Sequence, residues 1–214
     1  MTVQERRERE RARRHRLIVD TARRLAEDEG WAAVTTRRLA ALIEYSQPVL
    51  YSHFANMEAI ANAVAMEGFA ELATTLAEAR ANAAPEQVAH RIAQAYVDFG
   101  VRQPAVYDAM FVQATDIAFG SPDTPEPLRR AFAELVAAVE QLSGPYDPET
   151  DAEVFWSALH GLVMLGRSRR LRPDREGERL ELLLERFSRL WAPGRRRTTR
   201  SDPPADAGRA LHHP

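Results

Sequence analysis

The sequence predicts an all-α protein of about nine helices, in which a small three-helix head precedes a larger helical-bundle body. Apolar residues recur at intervals of three and four along most of the chain, the spacing that turns one face of a helix inward. The alternating pattern of a half-buried strand does not compete with this spacing. Breaks that contain proline or glycine divide the chain into segments of helical length.

The first helix is predicted to run from about Glu8 to Glu29, and Gly30 then ends it. Its apolar residues form one stripe, made by Leu17, Ile18, Ala22, Leu25 and Ala26. Trp31 and Val34 come next, and we expect both to pack inside the head, because so small a core needs an aromatic anchor.

Two short helices follow, joined by a tight turn at Glu44 and Tyr45. The first of the pair carries apolar residues at the spacing of one helical face, namely Leu39, Leu42 and Ile43. The second begins at Ser46, which can cap it, and Pro48 suits its first turn. This arrangement matches the helix-turn-helix plan, in which the second helix offers its N-terminal residues to a DNA groove. From the pattern alone, an ordinary helical hairpin explains the pair equally well.

The remaining chain is predicted to form six more helices. Asn56 can cap a long fourth helix that joins the head to the body and ends near Ala81. The later helices are expected at Pro85–Gln103, about 106–117, about 128–139, Pro148–Arg170 and Arg175–Trp191. The domains are then a helix-turn-helix domain at 15–62, a body at 63–192 and a tail at 193–214. We expect the tail to be disordered, because it has little apolar surface to bury.

Composition restricts the classes to which the protein can belong. Its 214 residues suffice for one large or two small domains with a substantial core. Cysteine is absent, which excludes disulfides and thiolate metal sites and suits a reducing compartment. The sequence shows neither the apolar core of a signal peptide nor a stretch that could span a membrane. We therefore expect a soluble, cytoplasmic protein.

Charge is distributed unevenly, although the formal net charge is only −2. Residues 1–24 contain nine Arg and four acids, whereas residues 61–164 contain five Arg and fifteen acids. Residues 1–14 are assigned as a basic N-terminal arm, which would lie near DNA phosphates while the acidic body is repelled from them. A solvated tail is compatible with the same run of charges.

Motifs of catalysis and metal binding are missing from the sequence. It contains no glycine-rich phosphate loop, no lysine-dependent nucleophile motif and no helix with paired histidines. The histidine pair that includes His213 lies in the tail, and we interpret it as incidental. We therefore expect no catalytic residue, no metal site and no cofactor.

The two short helices resemble a known family of DNA-binding proteins. The run Val-Thr-Thr-Arg-Arg-Leu-Ala begins at Val34, and the run Ser-Gln-Pro-Val-Leu-Tyr-Ser-His-Phe begins at Ser46. Together they resemble the DNA-binding domain of the TetR family of transcriptional repressors, over about residues 14–62. Glu44 stands where the family turn usually has glycine, a position that favours positive φ. Met57 stands where many members have a phosphate-binding lysine.

The resemblance implies DNA contacts for ten residues of the head. Arg37 and Gln47 match family positions that reach base edges, and their side chains suit guanine and adenine respectively. Phosphate contacts are expected from Thr35, Tyr51 and His53. Apolar contacts with thymine methyl groups are expected from Pro48 and Val49. The set is completed by Thr36, Ser46 and Asn56.

A second run, from Trp156 to Gly161, resembles the Trp…His-Gly motif of a subgroup of TetR C-terminal domains. Trp156 and His160 are four residues apart and share a helix face. The aromatic and Met-rich residues of the body could line a pocket for a small hydrophobic or aromatic effector. The expected lining is Tyr96, Phe99, Tyr107, Met110, Phe111, Phe132, Trp156, His160 and Met164. A solid core, with His160 as an ordinary core or interface residue, explains the same set.

The last two helices are the expected dimer interface, because a single head reads too few base pairs for useful specificity. Glycines inside a helix suit a close approach of two helices, and the last helix has the densest apolar stripe. The expected interface residues are Gly161, Gly166, Leu180, Leu183, Leu184, Phe187 and Trp191.

The sequence therefore indicates a one-component regulator that represses transcription. It would bind a palindromic operator in double-stranded DNA as a homodimer, and a small hydrophobic ligand would release it. The alternative is an all-α enzyme, or a bundle that binds small molecules, without a DNA function.

Overall fold

The fold is seen in a computed structural model that describes residues 2–113, 117–140 and 147–190. For residues 188–190 it describes the backbone alone. Within these ranges the chain forms nine α-helices and no strand, which confirms the all-α prediction. The helices are α1 (Val3–Glu29), α2 (Thr36–Leu42), α3 (Gln47–Tyr51), α4 (Met57–Ala81), α5 (Val88–Arg102), α6 (Pro104–Asp108), α7 (Glu126–Glu140), α8 (Pro148–Arg167) and α9 (Glu176–Leu190). Trp191 and the tail predicted at 193–214 lie outside the described residues.

Helix α1 begins at Val3 instead of Glu8, so most of the basic arm is helical. Thr2 and Glu5 start it with a capping box, in which each side chain accepts a hydrogen bond from the other residue's backbone N–H. Apolar periodicity could not reveal these turns, because the residues from Val3 to Arg13 are all exposed.

Helices α1, α2 and α3 form the head around buried apolar residues of each, including Ile18, Leu39 and Leu50. Leu42, which the sequence placed on the inner face of α2, is 56% exposed, and Ala40 is buried instead. The reason is geometric. Leu42 lies about 100° around the helix from the middle of the face made by Leu39, Ala40 and Ile43.

Trp31 connects the head to the body instead of filling the core of the head. Val34 is buried as expected, but Trp31 is half-buried, and its indole N–H donates to the carbonyl oxygen of Ala105 at 2.8 Å. The carboxylate of Glu27 accepts from the backbone N–H groups of Ala105 and Val106 at 3.2 and 3.4 Å. These N–H groups lie in the first turn of α6, where they have no partner within the helix. The head is therefore hydrogen-bonded to the start of α6.

In the body, α4 packs against α5 and α7, and α8 packs against both of these helices. Two glycines allow other elements to approach closely. A Cβ at Gly68 of α4 would lie 2.5 Å from Val106, and one at Gly100 of α5 would lie 2.6 Å from Val163. The predicted sixth helix is shorter than expected, because α6 ends at Asp108 and a π-helical turn, Ala109–Gln113, follows. Such turns inside helices often accompany functional sites.

Candidate DNA interface and effector pocket

The turn between α2 and α3 is closed by two backbone hydrogen bonds. The N–H of Tyr45 donates to the carbonyl of Ala40 at 3.0 Å, and the N–H of Glu44 donates to that of Ala41 at 3.4 Å. This pattern is a Schellman motif, which needs a left-handed residue just after the helix. Glu44 is that residue, with φ of 58°. The turn therefore has the geometry that glycine would normally provide.

Helix α3 has a buried residue near its C-terminal end, and its N-terminal turn is exposed. Leu50 and Phe54 are buried, whereas Gln47 and Pro48 in the first turn are exposed. Ser46 occupies the N-cap position, but its side chain makes no capping hydrogen bond. The N-terminal side chains of α3 are thus open to a partner.

Seven of the ten predicted DNA-binding residues are exposed, and three are half-buried. The exposed ones are Thr35, Arg37, Ser46, Gln47, Pro48, Tyr51 and Asn56, and the half-buried ones are Thr36, Val49 and His53. Thr35 and Asn56 also cap helices. The Thr35 hydroxyl accepts from the N–H of Arg38 at 3.3 Å, and the Asn56 amide oxygen from that of Ala59 at 2.8 Å.

Arg37 and Arg38 are neighbours with different surroundings. The guanidinium of Arg38 donates two hydrogen bonds to Glu29, at 2.7 and 2.6 Å. Arg37 is exposed and has no hydrogen-bond or ion-pair partner in the part of the chain that the structure describes. Of these two arginines, only Arg37 has a guanidinium without a partner among the described residues.

His53 lies where the basic half of α1 meets the end of α3. Its Nδ1 atom is buried and has no hydrogen-bond partner among the described residues. Burial lowers the pKa of His53, and the charges of Arg11, Arg14 and His15 lower it further. The ring of His15 lies 4.4 Å from that of Phe54. The basic half of α1 therefore lies beside His53 and Phe54, just after the end of α3, which the sequence did not reveal.

The arginines of α1 divide between two sides of the helix. Arg7, Arg11 and Arg14 share the side that continues to Ile18, which is buried in the head. Arg6, Arg9, Arg13 and Arg16 lie on the opposite side. One row of arginines therefore lies on the side of α1 that is near His53.

Two neighbouring cavities, of about 380 and 650 Å³, lie among the described residues of the body. Both are lined by Phe111, Phe119 and Trp156. The smaller cavity also touches Met110, Ser157 and His160. The larger one also touches Phe69, Tyr96, Phe132 and polar residues at its rim, among them Arg129, Glu149 and Glu153. These volumes and mainly apolar linings suit a small organic molecule.

A chain of hydrogen bonds borders the cavities. The indole N–H of Trp156 donates to the hydroxyl oxygen of Tyr96 at 2.8 Å. The hydroxyl of Tyr96 lies 2.9 Å from that of Tyr107, which in turn lies 2.7 Å from Nδ1 of His160. Burial raises the pKa of both tyrosines and lowers that of His160. Both phenols and the imidazole are therefore neutral near pH 7.

The predicted pocket residues divide into those that line the cavities and those that support them. The lining ones are Tyr96, Met110, Phe111, Phe132, Trp156 and His160. Phe99 and Tyr107 are buried behind the wall, and Met164 is half-buried and not part of either lining. Sequence reasoning missed Phe69, which looked like part of the linking helix, and Phe119, which lies outside the helices.

Comparisons with known proteins agree with this architecture. Residues 18–64 match the family described as bacterial regulatory proteins of the TetR family. Residues 89–187 match the tetracyclin repressor-like C-terminal domain. An uncharacterized helix-turn-helix transcriptional regulator of Mycobacterium tuberculosis, Rv0681, is 30% identical over 69% of this chain and 67% of its own length. The chain belongs to the TetR family.

Two further proteins resemble this TetR-family chain. The uncharacterized regulator YobS of Bacillus subtilis is 29% identical over 47% of this chain, and the match spans 53% of YobS. A structure from Rhodococcus sp. RHA1, described as a protein with unknown function, has a TM-score of 0.71 at 23% identity. It covers 83% of this chain and 95% of its own, and at this identity it supports the fold alone.

Membership of the TetR family makes the protein a DNA-binding transcriptional regulator and not an enzyme. This sets aside the all-α enzyme and the bundle without a DNA function. Within the described ranges, the structure has no group of three or more residues that could hold a metal ion. It also has no helix there that is long and apolar enough to cross a membrane.

The residues predicted at the TetR dimer interface lie in two different environments. Leu180, Leu184 and Phe187 are buried in their own chain, and the ring of Phe187 lies 5.2 Å from that of Phe155. Gly161 and Gly166 face open space, since a Cβ at either would meet nothing within 4 Å. Leu183 is half-buried, and Trp191 is outside the described residues.

Helix α8 instead exposes an apolar stripe around Gly161. Val154 is 56% exposed and Leu165 is 40% exposed. Ala158 and Gly161 lie between them at intervals of four, three and four residues, so all four residues share one face. The stripe is uncovered in the monomer.

Proposed function

We propose that the protein is a homodimeric repressor that binds a palindromic operator through α3 and is released by a small apolar or aromatic effector. The observation that carries the proposal is the exposed N-terminal turn of α3, together with Arg37, whose guanidinium has no partner among the described residues. As a DNA-binding regulator it would act in the cytoplasm, where bacterial DNA lies.

In this proposal α3 lies in the major groove. Arg37 donates to guanine and Gln47 makes paired hydrogen bonds with adenine. Tyr51 and the neutral ring of His53 contact phosphates, while Pro48 and Val49 meet thymine methyl groups. The arginine row of α1 neutralises phosphates beside the groove and adds affinity without sequence preference.

Effector control is assigned to the two cavities. Their wall includes the π-helical turn that follows α6, and the start of α6 is hydrogen-bonded to Glu27 and Trp31 of the head. A second set of hydrogen bonds is donated by Arg23 of α1 to Glu71 of α4 and to Gln103. An effector that shifts this turn would therefore change the angle of the head. A coupling of about 1–3 kcal/mol is the usual size of such effects.

The dimer is assigned to α8 and α9. The stripe around Gly161 allows two copies of α8 to approach closely, because glycine leaves no side chain between the backbones. A two-fold axis would pair the stripe with its own copy. Leu180, Leu184 and Phe187 then support the interface from behind.

Selection of bound duplexes from a random DNA library, followed by fluorescence anisotropy at several salt concentrations, tests DNA recognition. We expect a palindromic site whose affinity falls steeply with salt. Arg37→Ala should weaken binding by about 1–3 kcal/mol per half-site contact and relax preference at one base pair. Arg38→Ala is the matched control, because Arg38 is held by Glu29. Unchanged preference in Arg37→Ala would contradict the assignment.

Filling the cavities tests effector control. Phe111 borders both cavities, so Phe111→Trp should block release by an effector while operator binding persists. This variant is preferable to Met110→Trp, because Met110 lies against Gly68 of α4 and has no room for a larger side chain. Loss of operator binding in Phe111→Trp would mean that Phe111 is needed for the fold and does not act in the response to the effector.

A further inference from the structure

The direction of the hydrogen bonds between Trp156 and His160 follows from counting protons. Tyr96 and Tyr107 each carry one hydroxyl proton, and the indole of Trp156 carries one N–H. These three protons serve three hydrogen bonds, from Trp156 to Tyr96, between the two tyrosines, and between Tyr107 and His160. Because an indole can only donate, Tyr96 accepts from Trp156 and donates to Tyr107. Tyr107 then donates to Nδ1 of His160.

The opposite direction would leave a buried group unsatisfied. If Nδ1 of His160 carried a proton, four protons would compete for three bonds, and one buried hydroxyl would have no acceptor among the described residues. An unmade buried hydrogen bond is costly. Arg167 cannot accept the surplus proton, because a guanidinium only donates. Its central carbon lies 5.6 Å from the ring centre of Tyr107, and it is paired with Asp108.

The neutral ring of His160 therefore carries its proton on Nε2. Nδ1 is turned towards Tyr107, and the residue lines the smaller cavity beside Phe111 and Trp156. Nε2 has no hydrogen-bond partner in the described part of the chain. It is also not one of the fully buried polar atoms there, so part of its surface is open. This N–H is thus available to a molecule in the cavity.

We propose that the effector is an aromatic or apolar ring compound with an oxygen acceptor, such as a ketone or ester carbonyl, that binds the Nε2–H of His160. The rest of the molecule would lie among Phe111, Phe119 and Trp156. The inference rests on the proposed function of the body as an effector pocket. It excludes compounds whose only polar group is a donor, such as an ammonium ion, because they would face another donor.

The tautomer is tested first, without a ligand. The full-length protein is labelled with ¹⁵N-histidine, and two-bond ¹⁵N–¹H correlation spectra at pH 7.5 distinguish protonated from unprotonated ring nitrogens. The resonances of His160 are assigned from their loss in His160→Gln. We expect a proton on Nε2 and none on Nδ1. In Tyr107→Phe, which removes the hydroxyl that donates to Nδ1, a mixture of tautomers should appear.

The ligand class is tested with three compounds that share one skeleton. They are 2-acetylnaphthalene, which has a carbonyl acceptor, 2-ethylnaphthalene, which has no polar group, and 1-(2-naphthyl)ethylammonium, which has only donors. Isothermal titration calorimetry should show the acetyl compound binding about tenfold more tightly than the ethyl compound, as one net hydrogen bond allows. The ammonium compound should bind more weakly than either.

His160→Phe keeps the bulk of the ring and should abolish the preference for the acetyl compound. His90→Phe is the matched control, because His90 is half-buried, is hydrogen-bonded to Glu181 and lines neither cavity. A proton on Nδ1, or equal affinities for the acetyl and ethyl compounds, would overturn the inference while leaving the pocket intact. Failure of all three compounds to bind would instead count against the body as an effector site for such molecules.

Discussion

Glu44 holds the left-handed conformation that the turn before α3 needs, with φ of 58°. A side chain in this region costs about 1–2 kcal/mol, because its Cβ crowds the following carbonyl. The strain is tolerated since two backbone hydrogen bonds and the buried Leu39 and Ile43 fix the end of α2. The position of α3 is therefore set by the hydrogen-bonding pattern of the turn and not by a glycine.

Glu44→Gly should raise the free energy of unfolding by about 0.5–1 kcal/mol, because glycine removes the strain but adds disorder to the unfolded chain. Urea unfolding followed by circular dichroism measures this change. Glu78→Gly is the control, because Glu78 is an exposed residue inside α4, where its replacement by glycine should destabilise the protein by about 1 kcal/mol. A Glu44→Gly protein no more stable than wild type would show that the turn is unstrained.

Periodicity predicted the helices well because almost all of them bury a face. It failed where burial is absent, as in the first turns of α1, or where backbone geometry changes without a change of pattern, as in Ala109–Gln113. The hydrogen bond from Trp31 to the body could not be predicted, because its acceptor, the carbonyl oxygen of Ala105, is distant in sequence.

The candidate sites, too, could be predicted only where the spacing within one helix decides which residues are exposed. The exposed start of α3 could be predicted, since exposure there follows from helical spacing. The hydrogen bonds of Tyr96 and Tyr107 could not, because they join three separate helices, α5, α6 and α8.

At the scale of elements, α1 combines a basic row with a rigid attachment to the head. Arg7→Ala combined with Arg11→Ala should weaken operator binding and lower the slope of log affinity against log salt by about 0.9 for each phosphate that is no longer neutralised. Sequence preference should not change, because binding to phosphates carries no base information. Anisotropy titrations between about 50 and 200 mM salt measure the slope.

Arg6→Ala combined with Arg13→Ala is the matched control, since it removes the same charge from the opposite side of α1. Equal reductions of affinity in both double variants would mean that α1 acts only through its net charge. A changed base preference in Arg7→Ala with Arg11→Ala would mean that the row reaches bases.

At the scale of the molecule, the proposed dimer depends on the exposed stripe of α8. Val154→Asp and Leu165→Asp should each convert a dimer into a folded monomer, because both side chains are exposed in a single chain and would bury a charge only at the interface. Size-exclusion chromatography with light scattering measures the mass, and circular dichroism checks the fold.

Val101→Asp is the control, because Val101 is 59% exposed but lies on α5. It should remain a dimer. Phe187→Asp should unfold the body instead, since Phe187 is buried in its own chain. A wild-type protein that is monomeric at micromolar concentration would contradict the proposed dimer. If Val154→Asp and Leu165→Asp both remain dimeric, the interface does not lie on this face of α8.

The continuity of α1 from Val3 to Glu29 has a mechanical consequence. Its C-terminal end is held against α6 by Glu27, and the opposite end lies about 36 Å away at 1.5 Å per residue. A tilt of about 5° at the held end would move the far end sideways by about 3 Å, roughly the length of a hydrogen bond. In the proposed mechanism, the helix would therefore act as a lever that enlarges a small shift in the body before it reaches the DNA.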